Sequence, residues 1–341
     1  MKSYIFILIG LMFVGSVGVG CQECSQLPEN FSFSDKLLYV EDIDGKNGLS
    51  NYNFGDIVCF DPVNKIKYYL TCDRYYNRFP SISSDRKYIV FESKRGDYSS
   101  INDLSTPSKL YVLALPSLKI RPLSHFITIP KDLYDINLST PELSHTKNKL
   151  VFLGDCVFDC DFPTLNAYIY DPEKKDYFLA EDSLMDVLEL DWSEDDAYIF
   201  YSFFYKSRKT DQFGQAISIL NIKSGKNVVI YDHKWFFEPG YIVNNSLLYA
   251  RSRINMETDK SESQVFLYDI AKKNHKKLAE LPELYIYKIV YGRTRDECYF
   301  IAGNYIDNKE FVDIYHYSLK KQKLIKLTDD GYQKDDLIYI K

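Results

Sequence analysis

One short phrase recurs along the chain with variations, and it constrains the fold more than any other feature. Residues 79–91 (FPSISSDRKYIVF) are echoed at 140–152 (TPELSHTKNKLVF) and again at 188–200 (LELDWSEDDAYIF). Each copy reads as a short apolar strand, a polar tight turn, and a second strand of alternating large apolar residues that ends in an aromatic. The closing aromatic serves as a ruler. It falls at Tyr39, Phe91, Phe152, Phe200, Tyr249 and Phe300, in steps of 52, 61, 48, 49 and 51 residues. Self-similarity at such a period is the mark of a propeller or a solenoid.

Downstream of each copy come a variable polar loop, a third strand and a fourth. The third strand recurs at 109–113, 166–171, 217–221, 265–269 and 314–318. Turns carrying Pro, Gly, Lys or Asn, as at 171–175 and 223–227, lead into the fourth. Period-two alternation of β-branched and aromatic residues between such turns predicts strands, and no stretch of the mature chain reads as a long amphipathic helix. Six units of four strands predict an all-β fold, a six-bladed β-propeller. The first unit lacks an inner strand, because residues 34–40 already read as its second. The C-terminal segment 335–340 supplies a spare one, and pairing the two closes the ring and covers two open sheet edges. Two stacked all-β domains of three units each would be the competing architecture. The repeat shows no linker or change of character midway, which weighs against it.

The pattern Pro80-x-x-Ser83-x-Asp85-x-x-x-Ile89-x-Phe91, with Leu-Tyr-x-x-Asp third strands and a Leu-Thr lead-in such as Leu327-Thr328, resembles the propeller repeats of the TolB-like group. Residues 83–91 followed by Ser93-Lys94-Arg95-Gly96 match best, and 190–200 next. The fifth and sixth units depart from it, with 244–246 and 294–296 standing where Ser-x-Asp is expected. The resemblance covers roughly residues 36–341. It implies the fold and little about activity, since such propellers serve as scaffolds, binding proteins and enzymes alike. The organisation expected for the chain is a signal segment at 1–20, a tether at 21–35 and a propeller at 36–341, the resemblance speaking only for the last. The extra N-terminal α/β domain of TolB and the hydrolase domain of prolyl-oligopeptidase-type enzymes are not expected.

Lys2, the apolar run 4–14 and the small residues 15–20 leading to Cys21 have the form of a secretory signal, too short to span a membrane. Gly20-Cys21 resembles a bacterial lipobox, with Gly18 where Leu is usual, so Cys21 is the expected lipidation site and plain cleavage the alternative. Any membrane attachment is expected through that lipid alone, in the periplasm or at the outer membrane or cell surface. Six further cysteines suit an oxidising compartment. Proximity in sequence suggests Cys59–Cys72 and Cys156–Cys160 as disulfides, and Cys24–Cys298 would then tie the N-terminus to the last blade, with burial as simple apolar residues the open alternative. A net charge of −6 argues against a nucleic-acid partner.

In a propeller, the loops between second and third strands share a face with the connections between blades. Here those loops are the long ones: 41–56, 94–108, 154–165, 204–215, 251–263 and 303–310. Variable loops gathered on a rigid scaffold are where binding residues are expected, and the opposite face of short turns reads as structural. Basic residues mark blades two, four and five: Lys94 and Arg95, then Lys206, Arg208 and Lys209, then Arg251 and Arg253. Asp155, Asp159 and Asp161 mark blade three. Arginines grip carboxylate or phosphate bidentately, so an anionic glycan or an acidic protein patch is the expected ligand. Three carboxylates within 154–161 would suit calcium. Their spacing is not that of an EF-hand, and no cofactor or metal is expected.

Nucleophile-elbow, zincin and phosphate-loop motifs are missing from the sequence. The five histidines are scattered, His145 falling in a short turn and His275 and His316 in outer strands. Glu189 and Asp191 are the candidates for the central channel, where a carboxylate pair could hydrolyse or cleave glycans. Two functions follow from these residues. The first is a non-catalytic exported propeller, binding an envelope protein or glycan through Arg95, Arg208, Arg251, Arg253, Asp155 and Asp161. The second is a glycan-active hydrolase or lyase.

Overall fold

In a computed structural model of the protein, the described residues are 24–42, 55–73, 75–95, 108–128, 138–155, 164–185, 187–206, 213–232, 234–255, 260–306 and 309–341. They form six antiparallel sheets of four strands each. Blade one begins with β1 (Lys36–Asp42), β2 (Asp56–Asp61) and β3 (Ile66–Tyr69). Blade two is β4 (Asn77–Ile82), β5 (Tyr88–Ser93), β6 (Lys109–Ala114) and β7 (Lys119–Pro122). Blade three is β8 (Leu138–Leu143), β9 (Leu150–Asp155), β10 (Thr164–Asp171) and β11 (Asp176–Met185). Blade four is β12 (Val187–Trp192), β13 (Tyr198–Lys206), β14 (Phe213–Asn221) and β15 (Asn227–Tyr231). Blade five is β16 (Phe236–Val243), β17 (Ser246–Asn255), β18 (Lys260–Asp269) and β19 (Asn274–Pro282). Blade six is β20 (Tyr285–Tyr291), β21 (Glu297–Ile306), β22 (Lys309–Ser318) and β23 (Lys323–Lys326). The last strand, β24 (Gln333–Ile340), returns to pair with β1, so the C-terminal segment supplies the inner strand of blade one. The expected ring closure is therefore the observed one.

The recurring phrase owes its form to one turn. The Ser83 hydroxyl donates to Asp85 at 2.8 Å and accepts the backbone N–H groups of Lys87 and Tyr88. Ser193 does the same with Asp195, Ala197 and Tyr198. These side-chain bonds replace the main-chain partners that a reversing backbone loses. Blade five uses another solution. Asn244 and Asn245 both have positive φ, 49° and 58°, in a two-residue hairpin between the paired Val243 and Ser246. Asn tolerates that conformation, which is why Ser-x-Asp is missing there. The Leu-Thr lead-in is also physical. Thr71 Oγ1 accepts the Ile57 N–H and donates to Asp56, and Thr328 repeats this with Ile314 and Asp313.

Six apolar clusters fill the six seams between neighbouring blades. All six ruler aromatics, from Tyr39 to Phe300, are buried in these seams. Two proposed disulfides are corrected. Cys24 bonds Cys72, with Cα atoms 5.3 Å apart, while Cys59 and Cys298 are free and buried. Cys59 points into the seam between blades one and two and Cys298 into that between five and six, so each serves as a small apolar side chain. Cys72 instead lies just beyond β3, where the N-terminal segment passes: Ser25 exchanges hydrogen bonds with Tyr69. Cys21, Cys156 and Cys160 lie outside the described residues. No helix among the described residues is long and apolar enough to cross a membrane.

Candidate functional site: a charged channel with two unlike mouths

Every inner strand carries an extra residue relative to its partner. The register shifts between Arg78 and Ser81, Ser139 and Glu142, Val187 and Glu189, Pro239 and Tyr241, and Ile286 and Lys288; opposite β24 it shifts between Leu38 and Val40. Bulges re-aim side chains. In blades one to three the bulge opens on a residue with positive φ: Asp336 at 55°, Phe79 at 50° and Thr140 at 48°. A β-branched residue such as Thr is strained there.

The channel these strands enclose is dense with charge. Arg78 donates to Asp335 and Asp336, each at 2.6 Å, and so ties blade two to the closing strand. Asp336 also accepts the Phe79 N–H at 2.9 Å. Asp335 is deep within the ring yet 39% exposed at its side chain, because the surface it offers is that of the channel. Across the ring, Lys288 of β20 bonds Glu189 of β12 at 2.7 Å. Glu142, Asp191 and Glu238 complete a set in which carboxyl groups outnumber cations. Burial, then the neighbouring Asp191, holds Glu142 well above the usual carboxylate range. Burial pushes Glu189 up to about 7 against the opposing pull of Lys288. Burial raises Asp191 against His145 and Lys288, and burial and Glu189 raise Glu238. Burial works against the Lys288 charge, but Glu189 and Asp191 outweigh it and hold the ammonium above its ordinary value.

Both channel residues expected from sequence are thus in the channel. Asp191 also has a local task, accepting the Trp192 N–H at 2.6 Å. Arg78, Glu142, Glu238, Lys288, Asp335 and Asp336 were missed. The recurring bulge sets which residue turns inward, and the polar residues at inner-strand positions were the only signal for it.

The mouth on the short-turn face holds a pocket of about 360 Å³, lined by Glu142, His145, Asp191, Glu194, Tyr241 and Lys341 among others. That face, expected to carry only short turns, thus also holds a cavity. His145, in its short turn, does reach the channel mouth, and its ring packs edge-on against Tyr241 at 5.1 Å.

The arginines of the long-loop face are held by neighbours. Arg95, 12% exposed, pairs with Asp73 at 2.7 Å, bonds Asn77 and lies over Phe91 and Tyr111. Arg251 and Arg253 meet on one indole, each 4.4 Å from the Trp235 ring. Arg251 is braced by Gln264 and Asp232, and Arg253 by Glu262. The structure brings these two together and leaves Arg95 apart in blade two. Asp155 ends β9, its side chain outside the described set; Arg208 and Asp161, like most of the segment expected to suit calcium, lie outside the described residues. Among the described residues, no group of three or more His, Cys, Asp or Glu is placed to hold a metal ion.

No family model matches the chain, and no curated protein matches it in sequence. Solved structures do match in shape. TolB from Acinetobacter baumannii superposes with a TM-score of 0.60 at 13% identity, over 90% of this chain and 67% of that one. An oligogalacturonate lyase in complex with manganese gives 0.56 at 10%, over 86% and 73%. A chain of a nidogen/laminin complex gives 0.56 at 9%, over 89% and 97%. At these identities the likeness is one of fold: the protein has the TolB-like six-bladed architecture.

Proposed function

We propose that this protein is an exported, lipid-anchored, non-catalytic propeller that holds an anionic glycan or an acidic patch of an envelope protein on its long-loop face. One observation carries this reading. Two guanidinium groups are pre-set on the Trp235 indole at the rim of blade five, where Arg253 keeps 42% of its side chain exposed. Stacking fixes a guanidinium plane without quenching its charge, which suits bidentate capture of a carboxylate. Tyr231, 68% exposed, and Phe236, 43% exposed, flank Trp235 in sequence and offer aromatic faces for a sugar ring or a peptide. Tyr285 and Tyr287 extend that surface, their rings 4.9 Å apart. The Cys24–Cys72 disulfide supports an oxidising destination. The nidogen/laminin likeness supports the use of this fold between proteins.

The test is binding of oligogalacturonate and of an acidic peptide to the mature chain, beside affinity capture from solubilised envelope. Replacing Arg251 and Arg253 together by Ala is expected to weaken binding at least tenfold. Unchanged binding and capture would overturn the arginine site, and a Cys21 without lipid by mass spectrometry would overturn the anchor.

A second reading, glycan cleavage by channel carboxyls, is favoured by Glu189, whose value near 7 suits general acid–base work. The lyase likeness supports it. Release of oligosaccharide products that survives both Glu189→Gln and Asp191→Asn would remove these residues from it.

A further inference from the structure

The pocket at the short-turn mouth already has a cationic occupant. Lys341 reaches across from the closing strand of blade one, and its Nζ bonds Glu194 of blade four at 2.6 Å. The same ammonium lies 5.5 Å from the Tyr241 ring centre of blade five. Arg86 of blade two donates to the Lys341 main-chain oxygen. An ammonium over a tyrosine face beside a carboxylate is a recognised way to hold such a group.

We infer that this mouth is a second binding site, one for an alkylammonium group, and that Lys341 is its exchangeable occupant within the chain. The site differs from the long-loop face in position and in the sign of charge it takes, so it stands or falls independently of the function proposed above. Three features support exchange. The Lys341–Glu194 pair is exposed, 47% and 42% at the two side chains, and exposed pairs of this kind are weak. Below it, Glu142 and Asp191 repel one another, so a cation inserted more deeply relieves that repulsion. His145 Nε2, at the same mouth, is buried without a hydrogen-bond partner among the described residues and can accept from an ammonium. The charged groups lining the pocket are Glu142 from β8, Asp191 from β12, and Arg86, His145, Glu194 and Lys341. From outside its lining, Lys288 of β20 acts on both Glu142 and Asp191, and Asp336 of β24 on Glu142. Because burial holds the deep carboxyls above their ordinary values and they must ionise to attract the ligand, binding is expected to strengthen as pH rises.

The ligand chemistry fits a lysine side chain of a partner protein or a free diamine. Calorimetric titration of the mature chain with Nα-acetyl-lysine amide and with 1,5-diaminopentane separates them, and Nα-acetyl-norleucine amide is the uncharged control. Lys341→Ala is expected to bind the lysine amide at least threefold more tightly than the unaltered chain. Adding Glu194→Gln, at a surface position, is expected to reverse the gain by at least fivefold. Binding of the diamine alone would assign the site to free diamines, and binding of both ligands to lysine side chains; either result supports an ammonium site. No saturable binding to the Lys341→Ala protein, binding indifferent to both substitutions, or equal binding of the norleucine control would overturn it.

Discussion

Arg78 shows how much of this molecule rests on single charges. Its guanidinium neutralises two aspartates of the closing strand, and one of these also holds the backbone of a bulge. Arg78→Met would leave Asp335 and Asp336 facing each other without a counter-ion. Breaking an enclosed pair in this way costs about 3–5 kcal/mol, readable as a shifted midpoint in urea. Asp56 is the converse case, a carboxyl that folding makes more basic. Burial raises it to about 7, outweighing the Thr71 hydrogen bond, and its Oδ2 has no hydrogen-bond partner among the described residues. A raised carboxyl stabilises the fold fully below its unfolded value, and that stability is lost as pH rises through the folded one. Asp56 and Glu189 therefore predict falling stability between about pH 4 and pH 7. Asp61 and Asp330 act oppositely: hydrogen bonds and lysines overcome burial and hold both near 2, so their contribution disappears as pH falls from about 4 towards 2. The melting temperature is expected to peak near pH 4–5, with a shallower alkaline decline in Asp56→Asn. A flat profile from pH 4 to 7 would contradict this assignment.

At the scale of the element, the threonine lead-in binds the fourth strand's exit to the third strand's start. Thr71→Val and Thr328→Val each remove an acceptor from a buried N–H and a donor from a carboxyl. Each is expected to cost about 1–3 kcal/mol in equilibrium unfolding, with no such loss on Thr→Ser. Such local devices are why the fold could be read from sequence. Ser83 and Asp85 are two residues apart, and their bonds recur wherever the pattern does. The channel could not be read the same way. Arg78 and Asp336 are 258 residues apart, and a one-residue bulge between them and the turn decides whether a side chain faces in or out. Sequence proximity misled for the cysteines because Cys59 and Cys72, though close along the chain, face different environments. The short turn that carries His145 reads as solvent-facing in sequence, so nothing there signals the pocket that the ring helps to line.

For the whole molecule, closure is the decisive contact. Strand β24 pairs along the length of β1 and contributes Asp335 and Asp336 to the channel. A chain ending at residue 332 would leave β1 as an open inner edge and Arg78 without its two aspartate partners. It is expected to elute as aggregates in size-exclusion chromatography, and a monodisperse monomer would show that the ring holds without its clasp. The Cys24–Cys72 bond also gives the molecule a direction. Residues 24–35 run from the Ser25–Tyr69 bonds on the outermost strand of blade one, at the long-loop end, to the Asp35–Ile340 bond on its innermost strand at the short-turn end. Cys24 is therefore fixed at the rim of the long-loop face, three residues from Cys21, a reach of about 10 Å when extended. A chain moored to a bilayer at Cys21 would lie with its arginine-bearing face turned toward the lipid and hold its ammonium pocket outward. It would stand as an adaptor with one side for the surface it sits on and the other for whatever passes above.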